Sequence, residues 1–377
     1  MRLLHTSDWH LGRSLHRADL RDAQEAFLDD LVAVVRAERV DAVLVAGDVY
    51  DRAVPPVDAV AMCEEALVRL RDAGARVVLI SGNHDSARRL GFGGPLMHAA
   101  GVHLRTRPDA LADPVLLADA HGEVAVYGIP YQEPGGLQCG ERSHLRVFGD
   151  ALARIRADAA RRGARRTVVL AHGWVAGGAA CESERDISVG GVGQVPVSLF
   201  DGFSYVALGH LHGQQTLAPH LRYSGSPLPY SFSEAAHKKG SWLIELGPAG
   251  VTRAERVPAP ARRRLAVLRG TLAGLLGAPP GHEEDFLSVT LTDAGRPEAA
   301  MDRLRERFPH VLVLAFEPEG AVPDGRSYGA RVAGRGDLQI AAEFVRHVRN
   351  APVTPGEHGL LAAAFDAVRA ADNPEAC

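Results

Sequence analysis

The stretch RVVLISGNHD, residues 76–85, joins a run of apolar residues, three of them β-branched, to an abrupt turn into Gly, Asn, His and Asp. Such a run predicts a buried strand over Arg76–Ser81. The C-terminal ends of strands are where open α/β sheets place their ligands. Asn83, His84 and Asp85 are therefore expected at the ligand-binding rim of a sheet.

The same alternation of strands and helices extends through the first half of the chain. Further β-rich runs occur at Met1–Thr6, Ala42–Ala46, Val124–Ile129, Thr167–Ala171 and Tyr205–Leu208, and amphipathic helical stretches occur at Asp22–Arg39 and Val57–Ala73. This pattern predicts an α/β fold. Every strand except Val124–Ile129 is followed closely by Asp, Asn or His. These polar side chains should therefore converge on one rim.

Five short signatures contain these polar residues. In chain order they are Asp8-Trp9-His10, Gly47-Asp48, Gly82-Asn83-His84-Asp85, Ala171-His172-Gly173 and Gly209-His210-Leu211-His212. In the first and last, two candidate ligands two positions apart point the same way, because side chains along a strand alternate between faces. The glycines suit turns in which the backbone closely approaches a bound ion or phosphate.

Two neighbouring divalent metal ions need a bridging carboxylate and a mixture of nitrogen and oxygen ligands. Asp48 is the natural candidate for the bridge. Each signature alone is more commonly a turn or an ordinary histidine, but the five together, each after a strand, predict a two-metal site. In contrast, the runs Arg161-Arg162, Arg165-Arg166 and Arg262–Arg264 are expected to be solvated faces or linkers.

Composition sets the broad class of the protein. The 377 residues are 46% hydrophobic and 23% charged, which is typical of an ordinary globular protein with two or three units. The net charge of −4 excludes a global positive field, so contacts with nucleic acid would need local arginine clusters. Four scattered cysteines without a CxxC pair indicate free thiols, and no apolar run approaches the length of a membrane span. We therefore expect a cytoplasmic protein.

The last third of the chain changes character. Residues Gly247–Arg264 are rich in Pro, Ala, Gly and Arg, which predicts a linker. A small β-α-β domain is predicted from Phe286–Leu291, Arg296–Arg307 and Val311–Phe316, followed by two helices, Asp337–Asn350 and Thr354–Ala371. The predicted division is a main domain at 1–255, a small domain at 262–330 and a helical tail at 335–377.

The order of the five signatures is that of the calcineurin-like metallophosphoesterases, and longer stretches resemble the SbcD family of bacterial nucleases in particular. These stretches are HTSDWHLG (5–12), AGDVYDRAVPP (46–56), ISGNHDS (80–86) and YSGSPLPYSFSE (223–234). The resemblance covers roughly residues 1–245 and weakens beyond them. It implies an α/β fold with a metallophosphoesterase β-sandwich flanked by helices, a small α+β capping domain that faces DNA, and a helical C-terminal tail.

The resemblance also implies a site. One metal ion would be held by Asp8, His10, Asp48 and His212, and the other by Asp48, Asn83, His172 and His210. His84 would be a catalytic residue and not a ligand, because in the family this histidine contacts the scissile phosphate and stabilises the transition state or protonates the leaving oxygen. Asp48 would share the catalytic role as the bridge, and Asp85 would orient nearby groups. The implied cofactor is a pair of divalent ions, Mn²⁺ in this family.

The implied function is that of a DNA endo/exonuclease, with 3′–5′ exonuclease and hairpin- or end-cleaving activity, acting in repair and recombination. Its partners would be DNA, an SbcC-like coiled-coil ATPase and a second copy of the chain, and no membrane. The tail would dock on the ATPase, although a packed helix pair is an equally good interpretation. Two alternatives remain open: a small-molecule phosphoesterase of the same fold, and a non-catalytic scaffold.

Overall fold

Two six-stranded sheets form the framework of the first of two units, Met1–Arg262, in a computed structural model that describes residues 1–136, 143–188, 193–319, 329, 332–349 and 351–372. The first sheet has the order β16 (Val251–Pro258), β15 (Gly240–Leu246), β1 (Arg2–Thr6), β4 (Ala42–Ala46), β5 (Arg76–Ile80), β6 (Val102–Leu104). The second has the order β13 (Gln215–Ala218), β14 (Leu221–Tyr223), β12 (Tyr205–Gly209), β9 (Thr167–His172), β8 (Gly122–Ile129), β7 (Val115–Asp119).

Four consecutive strands of each sheet are parallel. They are β1, β4, β5 and β6 in the first sheet, and β14, β12, β9 and β8 in the second. Two short strand pairs complete the unit: β2 (Ser14–Leu15) with β3 (Ala18–Asp19), and β10 (Trp174–Val175) with β11 (Gln194–Val195). In each sheet, parallel strands end at a common edge, and the strand ends and loops at that edge contain the five signatures.

The sheets pack face to face, and helices cover their outer faces. One buried cluster contains side chains from both sheets, such as Leu44 and Val168, while a second lies between the first sheet and helices α1 (Arg21–Glu38) and α2 (Val57–Asp72). A third cluster lies beneath α5 (His144–Arg162) on the second sheet. Because the central strands are covered on both sides, their sequences are continuous apolar runs. Each fully buried Leu or Val side chain contributes about 1.5–3 kcal/mol to this packing.

Helix α5 shows how local sequence sets helix ends. The Ser143 side chain accepts a hydrogen bond from the backbone N–H of Arg146, and the helix ends at Gly163, whose φ of 65° is left-handed. These are a side-chain N-cap and a glycine C-cap. Two short helices, α3 (Ala87–Leu90) and α4 (Gly94–Ala99), follow the Asn83-containing loop.

The second unit, Arg263–Cys377, contains a small parallel sheet. Its elements are β17 (Leu265–Gly270), α6 (Leu272–Gly277), β18 (Phe286–Leu291), α7 (Ala300–Arg307) and β19 (Val311–Phe316), with the strand order β17-β18-β19. Its core includes Leu287, Val289 and Leu304. Two further helices, α8 (Asp337–Arg349) and α9 (Pro355–Asp372), contact each other, and Arg349 forms an ion pair with Glu357.

The predicted α/β sandwich is confirmed, and the predicted strands begin or end within two residues of the observed ones. The prediction of a linker at Gly247–Arg264 was wrong over Val251–Pro258, where the chain forms β16 and pairs with β15. Edge strands with one solvent-facing side tolerate the Arg- and Glu-rich composition that suggested a linker.

Two other observations bear on the sequence-based expectations. Cys63 and Cys181 are free thiols, as predicted, whereas Cys139 and Cys377 lie outside the described residues. Among the helices that the structure describes, none is both long enough and apolar enough to span a membrane.

Candidate metal centre

The C-terminal ends of β1, β4, β5, β9 and β12, and the loops that follow them, bring the predicted ligands together. All but one of these ligands are almost completely buried: Asp8, His10, Asp48, His172, His210 and His212. Asn83 is half-buried. Buried charged and polar side chains need partners. A cluster of this kind therefore points to a bound group or to tight mutual pairing.

Asp48 lies at the centre of the cluster. On one side, the ligand atoms of Asp8, His10 and His212 lie within 4.8 Å of one another, and His10 Nε2 lies 3.8 Å from Asp48 Oδ2. On the other side, His172 Nε2 lies 3.4 Å from the same oxygen. Asp8, Asp48 and His172 also form one group within 4.8 Å. The Asp48 carboxylate is thus within reach of both sets of ligands.

The second set is completed by Asn83. Its Oδ1 lies 2.9 Å from His172 Nε2 and 3.1 Å from His210 Nδ1. His172 Nδ1 donates to the backbone carbonyl of Ala46 at 2.8 Å, which leaves Nε2 facing the cluster. Nε2 is therefore the ring nitrogen that would coordinate a metal ion after losing its proton.

The donor set fits divalent metal ions. It combines imidazole nitrogens with carboxylate and amide oxygens, the mixture that suits first-row divalent ions. His10 Nε2 and His212 Nε2 lie only 3.1 Å apart. Two neutral imidazoles with lone pairs at this distance repel unless a proton or a cation lies between them. The division of the ligands between two ions remains a prediction from the resemblance.

The backbone of the cluster is unusual. Four predicted ligands have left-handed φ values: Asp8 at 52°, His10 at 45°, Asp48 at 49° and His210 at 102°. Such conformations are uncommon outside glycine, and they concentrate at functional sites. Gly209 allows the ends of β12 and β4 to approach each other, because a Cβ at this position would overlap the carbonyl oxygen of Ala46.

The electrostatics of the cluster are those of a paired acid and base. Burial alone would lower the pKa of His172, but the Asp48 carboxylate outweighs burial and raises this pKa to about 9. Burial would raise the pKa of Asp48, yet His172 holds it well below its usual range. Burial raises the pKa of Asp8 to about 6 against the opposing influence of His172.

Two further ligand histidines, His10 and His210, are neutral. Burial lowers the pKa of His10 and of His210 well below the ordinary value. Neutral imidazole is the form that binds metal ions. Both side chains are therefore ready for coordination at neutral pH.

His84 and Asp85 occupy different positions in the loop after β5. His84 Nδ1 donates to the carbonyl of Asp51 at 2.8 Å, and its Nε2 lies 4.0 Å from Asp48 Oδ2. Burial lowers the pKa of His84. The Asp85 carboxylate accepts hydrogen bonds from the backbone N–H groups of Gly82, Val49 and Tyr50, and so fixes two loops against each other.

Several residues around the site were not predicted from the sequence. Ser183 and Glu234 lie behind His212, and Lys239 forms an ion pair with Glu234. The Tyr230 ring contacts the rings of His10 and His212, with centroids 5.3 Å and 5.8 Å away. Only Tyr230 and Glu234 had a signal, since both belong to the quoted stretch YSGSPLPYSFSE.

The arginine runs are only partly solvated. Arg166 is 2% exposed and forms an ion pair with Asp119, so the prediction of a solvated face was wrong for this residue. Arg161 and Arg162 both pair with the buried carboxylate of Asp158. A buried carboxylate requires such partners. These arginines therefore stabilise the fold around α5.

Comparison with known proteins identifies the family of the chain. Residues 1–214 match the family described as calcineurin-like phosphoesterase, and residues 261–348 match the family described as type 5 capsule protein repressor C-terminal domain. The SbcD subunit of the nuclease SbcCD from Bacillus subtilis (strain 168) is 38% identical over 269 residues, which are 66% of this chain and 67% of that protein.

A second relative, the SbcD subunit of the nuclease SbcCD from Staphylococcus saprophyticus, is 29% identical over 323 residues, 83% of this chain and 84% of that protein. The crystal structure of a dimetal phosphatase from Danio rerio is 14% identical, covers 69% of this chain and 99% of its own, and has a TM-score of 0.42, too low to support a conclusion. The first family match spans more than half of the chain, and the Bacillus relative is similar over two thirds of its length. The chain therefore belongs to the calcineurin-like phosphoesterases and, among them, to the SbcD family.

Proposed function

We propose that this protein is a metal-dependent DNA nuclease that acts as the SbcD subunit of an SbcCD complex. The observation that carries the proposal is the convergence of the predicted ligands around Asp48 in a chain of the SbcD family. The Bacillus and Staphylococcus relatives are both named as subunits of the nuclease SbcCD, which favours DNA over small phosphate esters as the substrate.

Asp8, His10, Asp48 and His212 would hold one metal ion, and Asn83, His172 and His210 would share Asp48 to hold the other. The ions would polarise the phosphodiester and activate a water molecule. Asp48 would bridge them, since its Oδ2 lies within 3.8 Å of His10 Nε2 and 3.4 Å of His172 Nε2. Mn²⁺ is the ion we propose, because the resemblance to the SbcD family implies it.

His84 is the proposed catalytic residue beside the metal ions. Its Nδ1 is engaged with the Asp51 carbonyl, so Nε2 is the nitrogen that faces the cluster. An approaching phosphate is an anion, and a nearby negative charge favours the protonated imidazole. Nε2–H could then stabilise the phosphate oxygens or protonate the leaving oxygen.

The finer parts of the proposal concern activity and partners. We propose 3′–5′ exonuclease and hairpin- or end-cleaving endonuclease activity in DNA repair, recombination and replication, within the cytoplasm. We also propose that the helices α8 and α9 dock on an SbcC-like ATPase. Exposed apolar side chains support docking, since Phe344 is 55% and Leu360 73% exposed in this unit.

We also propose that two copies of the chain form a homodimer within the complex. Two neighbouring segments of the first unit expose apolar side chains, Val57 at 83% on one and Phe92 at 86% and Leu96 at 81% on the other. Arg89 of the second segment donates to the carbonyl of Ala53 at 2.9 Å, which ties the segments together. Exposed apolar side chains on neighbouring segments support the proposed self-association.

The experiment compares substrates with the same purified protein. Hairpin DNA, blunt-ended DNA and nitrophenyl phosphates would each be incubated with Mn²⁺, using wild type, Asp48→Ala and, as a control, Asp150→Ala on the exposed face of α5. We expect metal-dependent cleavage of DNA by wild type and Asp150→Ala only. Turnover of nitrophenyl phosphates without DNA cleavage would indicate a small-molecule phosphoesterase, and no turnover at all would indicate a scaffold. Turnover of Asp48→Ala within about tenfold of wild type would contradict the bridging role.

A further inference from the structure

A chain of hydrogen bonds extends away from the metal centre behind His212. Ser183 Oγ lies 2.7 Å from His212 Nδ1 and 2.6 Å from Glu234 Oε1. The Lys239 ammonium forms an ion pair with Glu234 and donates to Ser226 Oγ at 2.9 Å. Glu234 is 1% exposed and Ser183 is 8% exposed, so the chain is shielded from water.

The direction of these hydrogen bonds follows from the groups involved. Glu234 is paired with a cation, so its carboxylate accepts and the Ser183 hydroxyl donates to it. The same Ser183 oxygen can then accept only from an N–H, which places the proton of His212 on Nδ1. Its Nε2, which lies 3.1 Å from His10 Nε2, is left with a lone pair directed into the centre. This is the tautomer that a metal ligand requires.

These hydrogen bonds also connect a separate segment of the polypeptide to the metal centre. Ser183 belongs to the connection between β10 and β11, and the next residue, Glu184, accepts a hydrogen bond from the backbone N–H of His212 at 2.7 Å. The carbonyl of Ser183 accepts from Arg13 Nη2 at 3.0 Å. His212 is therefore held from behind at both its ring and its backbone.

We propose that Ser183 and Glu234 are positioning residues that hold His212 in the metal-binding tautomer. They thereby set the affinity of the first metal site, the one formed by Asp8, His10, Asp48 and His212. The inference rests on the proposed function, because it takes His212 to be a ligand of that site. Lys239 keeps Glu234 ionised as an acceptor. Loss of such an outer partner typically weakens metal binding by about 10- to 100-fold.

The test measures metal binding and not turnover. Mn²⁺ would be titrated into the full-length, metal-free protein by calorimetry, for wild type, Ser183→Ala, Glu234→Gln and Ser183→Thr. The control is Ser233→Ala, because Ser233 Oγ accepts from the backbone N–H of Glu182 at 3.2 Å and so anchors the same segment without contacting His212. The thermal unfolding midpoint would be recorded for each variant with and without Mn²⁺.

We expect Ser183→Ala to weaken one of two Mn²⁺ sites by about 10-fold or more, with a smaller loss for Glu234→Gln, whose amide oxygen still accepts. Ser183→Thr keeps the hydroxyl and should restore the affinity, and Ser233→Ala should bind as wild type does. Ser183→Ala should unfold near the wild-type temperature without Mn²⁺ but gain less stability when Mn²⁺ is added.

Other outcomes separate this inference from the proposed function. If wild type binds two ions and Ser183→Ala binds both within about threefold of wild type, the positioning role is refuted and the nuclease centre stands. Equal losses for Ser183→Ala and Ser233→Ala would show that only the attachment of the segment matters, which also refutes it. A wild type that binds no Mn²⁺ would overturn both. Should Ser183→Ala not fold, Glu234→Gln decides in its place: weaker binding of one Mn²⁺ ion supports the positioning role, and binding of both ions as in wild type refutes it.

Discussion

Binding of a metal ion should displace a proton from His172. In the metal-free site, the Asp48 carboxylate raises the pKa of His172 to about 9 against the effect of burial. At pH 7 this imidazole is therefore mostly protonated, since the pKa lies about two units above the pH. A metal ligand must be deprotonated, so coordination through His172 Nε2 requires the loss of that proton.

The energetic cost of deprotonating His172 follows from the difference between its pKa and the pH. Each pKa unit corresponds to about 1.4 kcal/mol, so removing the proton at pH 7 costs on the order of 3 kcal/mol, or roughly 100-fold in apparent affinity. The affinity should rise about tenfold per pH unit and level off above pH 9. Without metal, the raised pKa gives stability that is complete below about pH 6.5 and lost as the pH rises through about 9.

Calorimetric titration with Mn²⁺ measures this effect directly. Between pH 6.5 and 8.5, titrations in buffers of different ionisation enthalpy should report the release of about one proton when Mn²⁺ binds at the site that contains His172. This range lies above the pKa of Asp8, which is about 6, so Asp8 contributes little. The control is His172→Asn, which keeps an oxygen ligand and has no proton to lose.

An affinity for Mn²⁺ that does not depend on pH would refute this prediction. If the affinity of wild type changes less than about twofold per pH unit across this range, His172 is not a protonated ligand. Equal proton release by wild type and His172→Asn would assign the proton to another group.

Three other perturbations follow from the structure. His84→Ser should retain both metal ions yet lose most turnover, because Nε2 faces the cluster from 4.0 Å without belonging to the predicted ligand sets; loss of an ion in elemental analysis would place His84 in the coordination shell instead. Gly82→Ala would put a Cβ 2.5 Å from the Asp48 backbone nitrogen, so Asp48 must shift and turnover should fall about 100-fold, whereas Gly149→Ala, with open space around it, should match wild type in the same assay. Deleting the residues after Gly334 should leave a stable chain with basal nuclease activity that no longer co-purifies with the ATPase, and equal retention of the ATPase in a pull-down would contradict a docking role.

The strands and the predicted ligands were accessible from the sequence because each signal is local. An apolar run such as Ala42–Ala46 is buried on both sides, and Asp48 follows it within two residues. The outer partners of the site had no such local signal. Ser183 and Lys239 reach the site from segments 29 and 27 residues away from His212 along the chain, and only folding brings them together.

Elements that depend on their neighbours were also missed. Strand β16 exists because β15 supplies its hydrogen bonds, and its Arg- and Glu-rich sequence has no apolar run. Strand propensity depends strongly on such context. The burial of Arg166 could not be predicted for the same reason, since it depends on Asp119, a residue 47 positions earlier.

The left-handed backbone of Asp8, His10, Asp48 and His210 restricts which mutations these positions tolerate. A β-branched residue at any of them would add about 1–2 kcal/mol of backbone strain to the loss of a ligand, whereas glycine and asparagine adopt this conformation readily. A library selected only for folded protein should therefore be enriched in glycine and asparagine at these four positions and depleted of valine and isoleucine. Selection for stability alone would then restrict which residue types occur at these ligand positions, as selection for catalysis also does.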